Sequence, residues 1–461
     1  MAIVIAKQPI EDIIVSTLIP IRYVCTEATP NTTNLVAKCF YIDQTTAVET
    51  QIGASYRLAP SLTNPDTFEF DASEIFNTLT KYTLGDMPTV VMGEKINPLT
   101  DALVNWKDVA TWYVRVKFYR EYLDATSGLI VLDPTAENSK KFYVHEGCPE
   151  QQWLTTVVQS NGVGDSTFLW FQANYVSGDR NKRFLTNYPI KSNYYSYVDI
   201  GQNESYIINF FAPEQTYCGY KIKIKTYDST ATLANTHEMV VTESNNLQTA
   251  FCGFRDIVSG LTANGAEGTD FVDVAYYYVG VWTGNVIAPT PCTYENALTI
   301  YKFTVNRACV GQGYLRFAFK NMLGGFDMVS SRGEYVKKNK SKFTQFEQSL
   351  GFENWDDAMA FGNSNWANTQ TIEYRVTTHA MRQEYAEHFA EMFNSTDAYL
   401  RVANNPELKV DSTNLDVKDY PYKFNPIVIK GGTYEMFKTS NNLVKLKFSF
   451  SMAVNQRTPR Y

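Results

Sequence analysis

The stretch Leu443–Val454, LVKLKFSFSMAV, places Val444, Leu446, Phe448, Phe450, Met452 and Val454 at every second position, with Lys445, Lys447, Ser449, Ser451 and Ala453 between them. A period of two sends the two sets to opposite faces of an extended strand. One row is apolar and needs a cover, because a long apolar strand left open pairs with whatever it meets. The strand is therefore expected to finish a sheet, through a hairpin with PIVIKGG (Pro426–Gly432) and the TSNN turn. Its apolar row should lie under a helix carrying Met381, Tyr385 and Phe389, leaving Lys445 and Lys447 outward.

The same period recurs along the chain. YVRVKFY sets Val114, Val116 and Phe118 against Arg115, Lys117 and Tyr119, and YKIKIK sets Tyr220, Ile222 and Ile224 against Lys221, Lys223 and Lys225. Both patterns predict half-buried antiparallel strands. FLWFQANYV (Phe168–Val176) and VAYYYVGVW (Val274–Trp282) are apolar or aromatic on both faces and predict central or covered strands. With 31 Tyr, 28 Phe and only 19% charged residues, the composition favours pleated sheets over solvated helices. Two helices stand out. FDASEIFNTLTKY pairs Asp71 with Glu74 in a capping-box spacing, ahead of Ile75, Leu79 and Tyr82. THAMRQEYAEHFAEMFNS puts Met381, Tyr385, Phe389 and Met392 on one stripe, with Arg382, Glu384, Glu387 and Glu391 on the other side.

These elements predict a mainly β, multi-domain chain of antiparallel sandwiches with few helices, one of them packed on the C-terminal sheet. The Pro-, Gly- and charge-rich loop Leu132–Gln152 marks a boundary near 147, and the turn in NMLGGFDMVSSRGEY marks another near 325. The expected domains are 1–147, 148–325 and 326–461, the last α+β with a terminal hairpin. The N-terminus is interrupted by Lys7, Glu11 and Asp12 and lacks the plan of a secretory signal, and no run reaches the length of a membrane span. A soluble product of the cytoplasm is expected. Seven dispersed cysteines, Cys25, Cys39, Cys148, Cys218, Cys252, Cys292 and Cys309, contain no CxxC pair and are read as buried thiols.

No residue pattern supplies convincing chemistry. The four histidines, His145, His237, His379 and His388, are scattered and expected at the surface. Glu353, Asp356 and Asp357 beside Trp355 resemble a glycosidase's carboxylates, but three acids in one turn cannot face each other across a sugar. Asp411, Asn414, Asp416 and Asp419 lack the spacing and central glycine of a calcium loop. GQGYLR (Gly311–Arg316) precedes a strand, whereas a phosphate cradle opens a helix. The expectation is no enzyme, no cofactor and no metal. A net charge of −7 speaks against a general phosphate-backbone binder. Against that background Lys337, Lys338, Lys340 and Lys342 form a local positive patch, and with Lys445 and Lys447 they are the expected assembly interface. Abundant Tyr and Trp, including Trp282 and Trp366, keep a glycan-binding receptor-adhesion role as the alternative.

Three islands resemble one family. TFEFDASEIFNTL is similar to the strand-into-helix end of the N-terminal immunoglobulin-like sandwich in tail structural proteins of phages infecting Bacteroidota. FKNMLGGFDMVSSRGEY is similar to the glycine-rich corner after their middle β-domain, and PIVIKGGTYEMFKTSNNLVKLKFSFSMAVNQRT to their last hairpin. The best match of type is a ring or collar protein of the short tail of crAss-like phages. The resemblance implies an immunoglobulin-like first domain and a virion component made in the host cytoplasm, and it brings no catalytic residues. It further implies a closed ring of copies below the portal, touching other tail and portal-proximal proteins, with DNA passing through without specific binding.

Overall fold

The computed structural model describes residues 3–9, 11, 14–27, 32–43, 46–81, 103–105, 111–147, 184–186, 188, 190–191, 194–201, 206–211, 220–241, 247–254, 257–258, 271–285, 293–295, 300–306, 315–347, 363–403, 422–430, 443–452 and 456–457. The expected mainly β class is what the chain adopts: strands dominate, and two helices are described in full, α1 (Ser73–Thr80) and α2 (Gln383–Asn394). Most pairings are antiparallel, but Phe142–His145 runs parallel to Ile14–Ser16, and Tyr194–Gly201 parallel to Ile300–Asn306. The chain divides into two compact units. One takes in Met1–Arg307 with Asn321–Asp327 and Ser412–Lys418, and the other takes in Ala308–Lys320, Met328–Asp411 and Asp419–Tyr461.

The first unit opens with a sandwich. One sheet orders Val4–Lys7, Arg22–Thr26 and Thr67–Asp71; the other orders Ile14–Ser16, Phe142–His145, Thr111–Leu123, Thr32–Ile42 and Glu49–Leu58, with Ile130–Asn138 also alongside Thr111–Leu123. Alternation selects the core: Val114, Val116 and Phe118 are buried, and Phe118 meets Tyr23 and Phe70 of the facing sheet at ring-centroid distances of 5.5 and 6.3 Å. Helix α1 lies one residue off the predicted stripe. Phe76 and Thr80 are its buried residues, while Ile75 and Leu79 only flank the core. The capping box does not form either. Asp71 Oδ1 accepts the backbone N–H groups of Ile21 and Ser73, each at 3.0 Å, so the carboxylate ties the helix start to a neighbouring strand.

Cys25, Cys39 and Cys252 are buried and outside any disulfide, as expected; the other four cysteines lie outside the described residues. Burial pushes the Cys25 and Cys39 thiols up to about 12, which leaves almost no thiolate to react at neutral pH. Iodoacetamide should leave both unlabelled in the folded protein and label both in urea, as peptide mass spectrometry would show. Labelling of native Cys39 at the rate of an exposed thiol would mean that this sandwich opens.

The middle of the first unit is a sheet ordering Ile190–Lys191, Tyr194–Gly201, Ile300–Asn306, Tyr276–Asn285, Tyr220–Tyr227 and Leu233–Val241. VAYYYVGVW is thus central, as expected. Tyr277, Val279, Tyr301 and Phe303 are buried on one face. On the other, half-buried Tyr227 and Tyr276 stack at 5.0 Å, and Lys302 Nζ sits 4.2 Å from the Tyr276 ring centre. FLWFQANYV lies outside the described residues.

The corner predicted from NMLGGFD is buried, and it belongs to the first unit although the residues on both sides of it belong to the second. Asn321 organises it. Its Nδ2 donates to Leu185 O at 2.7 Å and Asp327 Oδ2 at 2.8 Å, and its Oδ1 accepts from Gly325 N at 2.9 Å. Asn209 Oδ1 accepts from Phe326 N at 2.6 Å, and His145 Nε2 lies 3.0 Å from Leu323 O. Gly324 holds φ +82°, and a Cβ there would meet the Glu146 carbonyl and the His145 ring, so only glycine fits. His145 is therefore buried in this corner, not at the surface as its isolation in the sequence suggested.

The second unit is built on one long sheet ordering the strand Phe326–Ser331, of which it takes in the part from Met328, then Leu315–Lys320, Ala398–Ala403, Tyr422–Lys430, Lys447–Met452, Asn363–Thr377 and Glu334–Glu347. The strand at the end of the chain is interior, between Tyr422–Lys430 and Asn363–Thr377. It is also broken: Leu443–Val444 pairs separately with Met381–Arg382, and the ladder resumes at Lys447. The predicted rows hold through the break, with Val444, Leu446, Phe448 and Phe450 buried and Lys445 and Lys447 exposed. Helix α2 covers the apolar row, Phe389 and Phe393 meeting Phe448 at 5.8 and 5.1 Å. Met381 precedes this helix in the short paired strand. His379 also precedes it and is exposed, as expected, whereas His388, expected at the surface, is buried at 3% exposure, and burial pushes its pKa down to about 3.

Candidate assembly surface

Register assigns the second sheet two unlike faces. Tyr374, Val376, Phe448, Phe450 and Ile427 occupy the core face, where Tyr374 and Phe450 stack at 4.8 Å. On the outer face the cross-strand rows are Lys338, Glu373, Ser451 and Val428, then Val336, Arg375, Ser449 and Lys430, then Glu334, Thr377 and Lys447. Glu334–Glu347 is the last strand on its side, and lysines on an edge strand discourage indiscriminate pairing.

Glu373 is the organising acid. Its side chain is only 5% exposed; it pairs with Lys340, with Lys430 Nζ at 3.4 Å and with Arg375 Nε at 3.8 Å. The Lys340 hydrogen bond, followed by Lys430 and against the cost of desolvation, holds the carboxyl below its ordinary value of 4.5. A carboxylate with a depressed pKa contributes stability above pH 4.5, and that stability is lost as pH falls through the folded value. Acid denaturation of Glu373→Gln should accordingly begin from a less stable protein and be shallower below pH 4.5 than in the wild type, followed by circular dichroism. Equal slopes would mean that the ion pairs do not form in solution.

Of the six predicted residues, Lys338, Lys340 and Lys447 share the outer face. Lys342 pairs with Thr369 across the ladder, and its side chain lies outside the described residues. Lys337 is on the core side of the edge, with its Nζ 5.9 Å from the Tyr374 ring centre, and Lys445 is exposed in the break between paired segments. Arg375, Lys430 and Glu373 belong to the surface and were not predicted. Their signal was the alternation in IEYRV and IVIK, which sorts faces but not neighbours.

A second surface is on the first unit. After Leu123 the chain turns through Asp124–Gly128, where Asp124 accepts from Ser127 Oγ at 2.6 Å and Ser127 N at 3.0 Å, and Gly128 takes φ +66°. The tip is thereby fixed. It presents Leu129, Ile130, Val131 and Leu132 in succession, 66, 54, 37 and 39% exposed, with Leu123 beside them. Among the described residues their strand pairs only with Thr111–Leu123.

Glu353, Asp356 and Asp357, the loop Asp411–Asp419, and Gly311–Tyr314 lie outside the described residues, as do the side chains of Trp282 and Trp366. No helix among the described residues is long and apolar enough to cross a membrane. No protein-family model and no curated protein matches the chain.

Proposed function

We propose that the chain is a structural subunit of a ring or collar in the short tail of a crAss-like phage, assembling with copies of itself below the portal. The observation that carries this reading is the run Leu129–Leu132. Four consecutive exposed apolar residues on a sheet edge are a liability for a solitary molecule. Alternation would bury two of the four; here both faces of the strand are open, so a partner must cover it from more than one side. A head-to-tail contact repeated around a closing ring covers such an edge on every copy at once. In this reading the subunit is made in the host cytoplasm, enters the virion tail, touches other tail and portal-proximal proteins, and lets DNA pass without reading it.

Mass photometry of the purified full-length chain tests the reading. Closed oligomers should form, and Ile130→Lys with Leu132→Lys should shift them to monomers while leaving the circular dichroism spectrum unchanged. A chain that stays monomeric at every concentration, and is absent from purified particles, would sink the proposal.

A further inference from the structure

The outer face of the second unit's sheet combines features that water alone does not require. Lys338, Lys340, Arg375, Lys430 and Lys447 surround Val336 and Val428, each 54% exposed, and Ser449 and Ser451 between them keep the surface low. We infer that this face receives an acidic surface of a second copy of the chain. The contact rests on the reading of the protein as a self-assembling ring subunit, and it names the chemistry that would join one copy to the next.

Charge is the first argument. Five cations against Glu373 and Glu334 leave the face at +3, so in a chain of net charge −7 everything else carries −10. The face is thus complementary to the rest of its own molecule. In the first unit Asp66, Glu69 and Glu74 are exposed along the edge strand Thr67–Asp71 and the start of α1, with Arg22 the facing cation opposite Asp71. Two patches of opposite sign on one chain give a heterologous contact, the kind that propagates from copy to copy.

The valines decide between partners. A phosphate backbone is bound by cations and hydrogen-bond donors and has no use for exposed aliphatic groups. A protein surface does, because interfaces place apolar side chains at the centre and charges at the rim. Glu373 adds preorganisation: by pairing with Lys340 and Lys430 it fixes two flexible side chains before any partner arrives, which lowers the ordering cost of binding.

The test is sedimentation velocity on the full-length chain at low and high salt, comparing wild type with Lys338→Glu plus Lys447→Glu and with Val428→Ser. Lys338, Lys447 and Val428 are all exposed, so the fold should persist. Wild-type assembly should weaken with salt, the charge reversal should weaken it about tenfold or more, and Val428→Ser should weaken it at either salt concentration. Wild-type assembly that the charge reversal leaves unchanged would overturn this contact and leave the ring reading intact. Absence of assembly in the wild type would overturn both. Duplex DNA bound by the wild type and lost in the charge reversal, with assembly unchanged, would assign the face to nucleic acid instead.

Discussion

Replacing Phe448 with aspartate should unfold the second unit. Phe448 is 8% exposed and is packed by Phe317 at 5.7 Å, Phe389 at 5.8 Å and Phe393 at 5.1 Å, so one ring links the central sheet to helix α2. Truncating a buried phenylalanine alone costs about 3–5 kcal/mol. Aspartate adds the cost of a carboxylate with no partner in an apolar site, or of the proton needed to neutralise it. A loss of at least about 5 kcal/mol takes most of the stability an ordinary domain has. Hydrogen exchange read along the chain would show protection lost in Lys447–Met452 and α2 while Thr111–Leu123 keeps its own. Retained protection in Lys447–Met452 would mean that the apolar row is not the covered face.

Gly324→Ala should do comparable damage to the first unit, for a different reason. No apolar contact is lost; a methyl group is added where φ is +82° and the Glu146 carbonyl and His145 ring already stand. The left-handed backbone costs a non-glycine residue about 1–2 kcal/mol, and forcing an atom into a packed site about 1–3 kcal/mol more. The corner cannot yield easily, because Asn321 and Asn209 accept the backbone N–H groups of Gly325 and Phe326, while Asn321 is itself tied to the Leu185 carbonyl and the Asp327 carboxylate. Thermal unfolding should move to lower temperature, with exchange rising first at Gly325 and Phe326. An unchanged melting profile would place Gly324 in a looser turn than described here.

Periodicity carried much of the fold into view. The rows of Val114–Phe118 and Val444–Phe450 each fell on the predicted face, because an error of one residue would have turned every apolar side chain to water. Helix α1 was harder: the stripe through Ile75 and Leu79 is the more apolar by residue type, yet the sheet beneath took Phe76 with Thr80. The parallel pairings were invisible, since alternation records faces and not directions. So were the neighbours on the outer face of the second sheet. Arg375 and Lys430 are 55 positions apart and share a cross-strand row only because Ser449 lies between their strands. The histidines show the converse limit, for nothing near His145 or His388 in the sequence announces that each ends in a packed interior.

The buried corner also has a consequence in time. Leu185 and Asn209 are made 136 and 117 residues ahead of Asn321 and Phe326, which the Leu185 carbonyl and the Asn209 carboxamide meet in the folded corner. These two polar groups therefore stay wet until Asn321–Asp327 have been made. A chain stopped short of Asn321 would lack both partners, so protease should cut it around Leu185 and Asn209 sooner than it cuts the full chain.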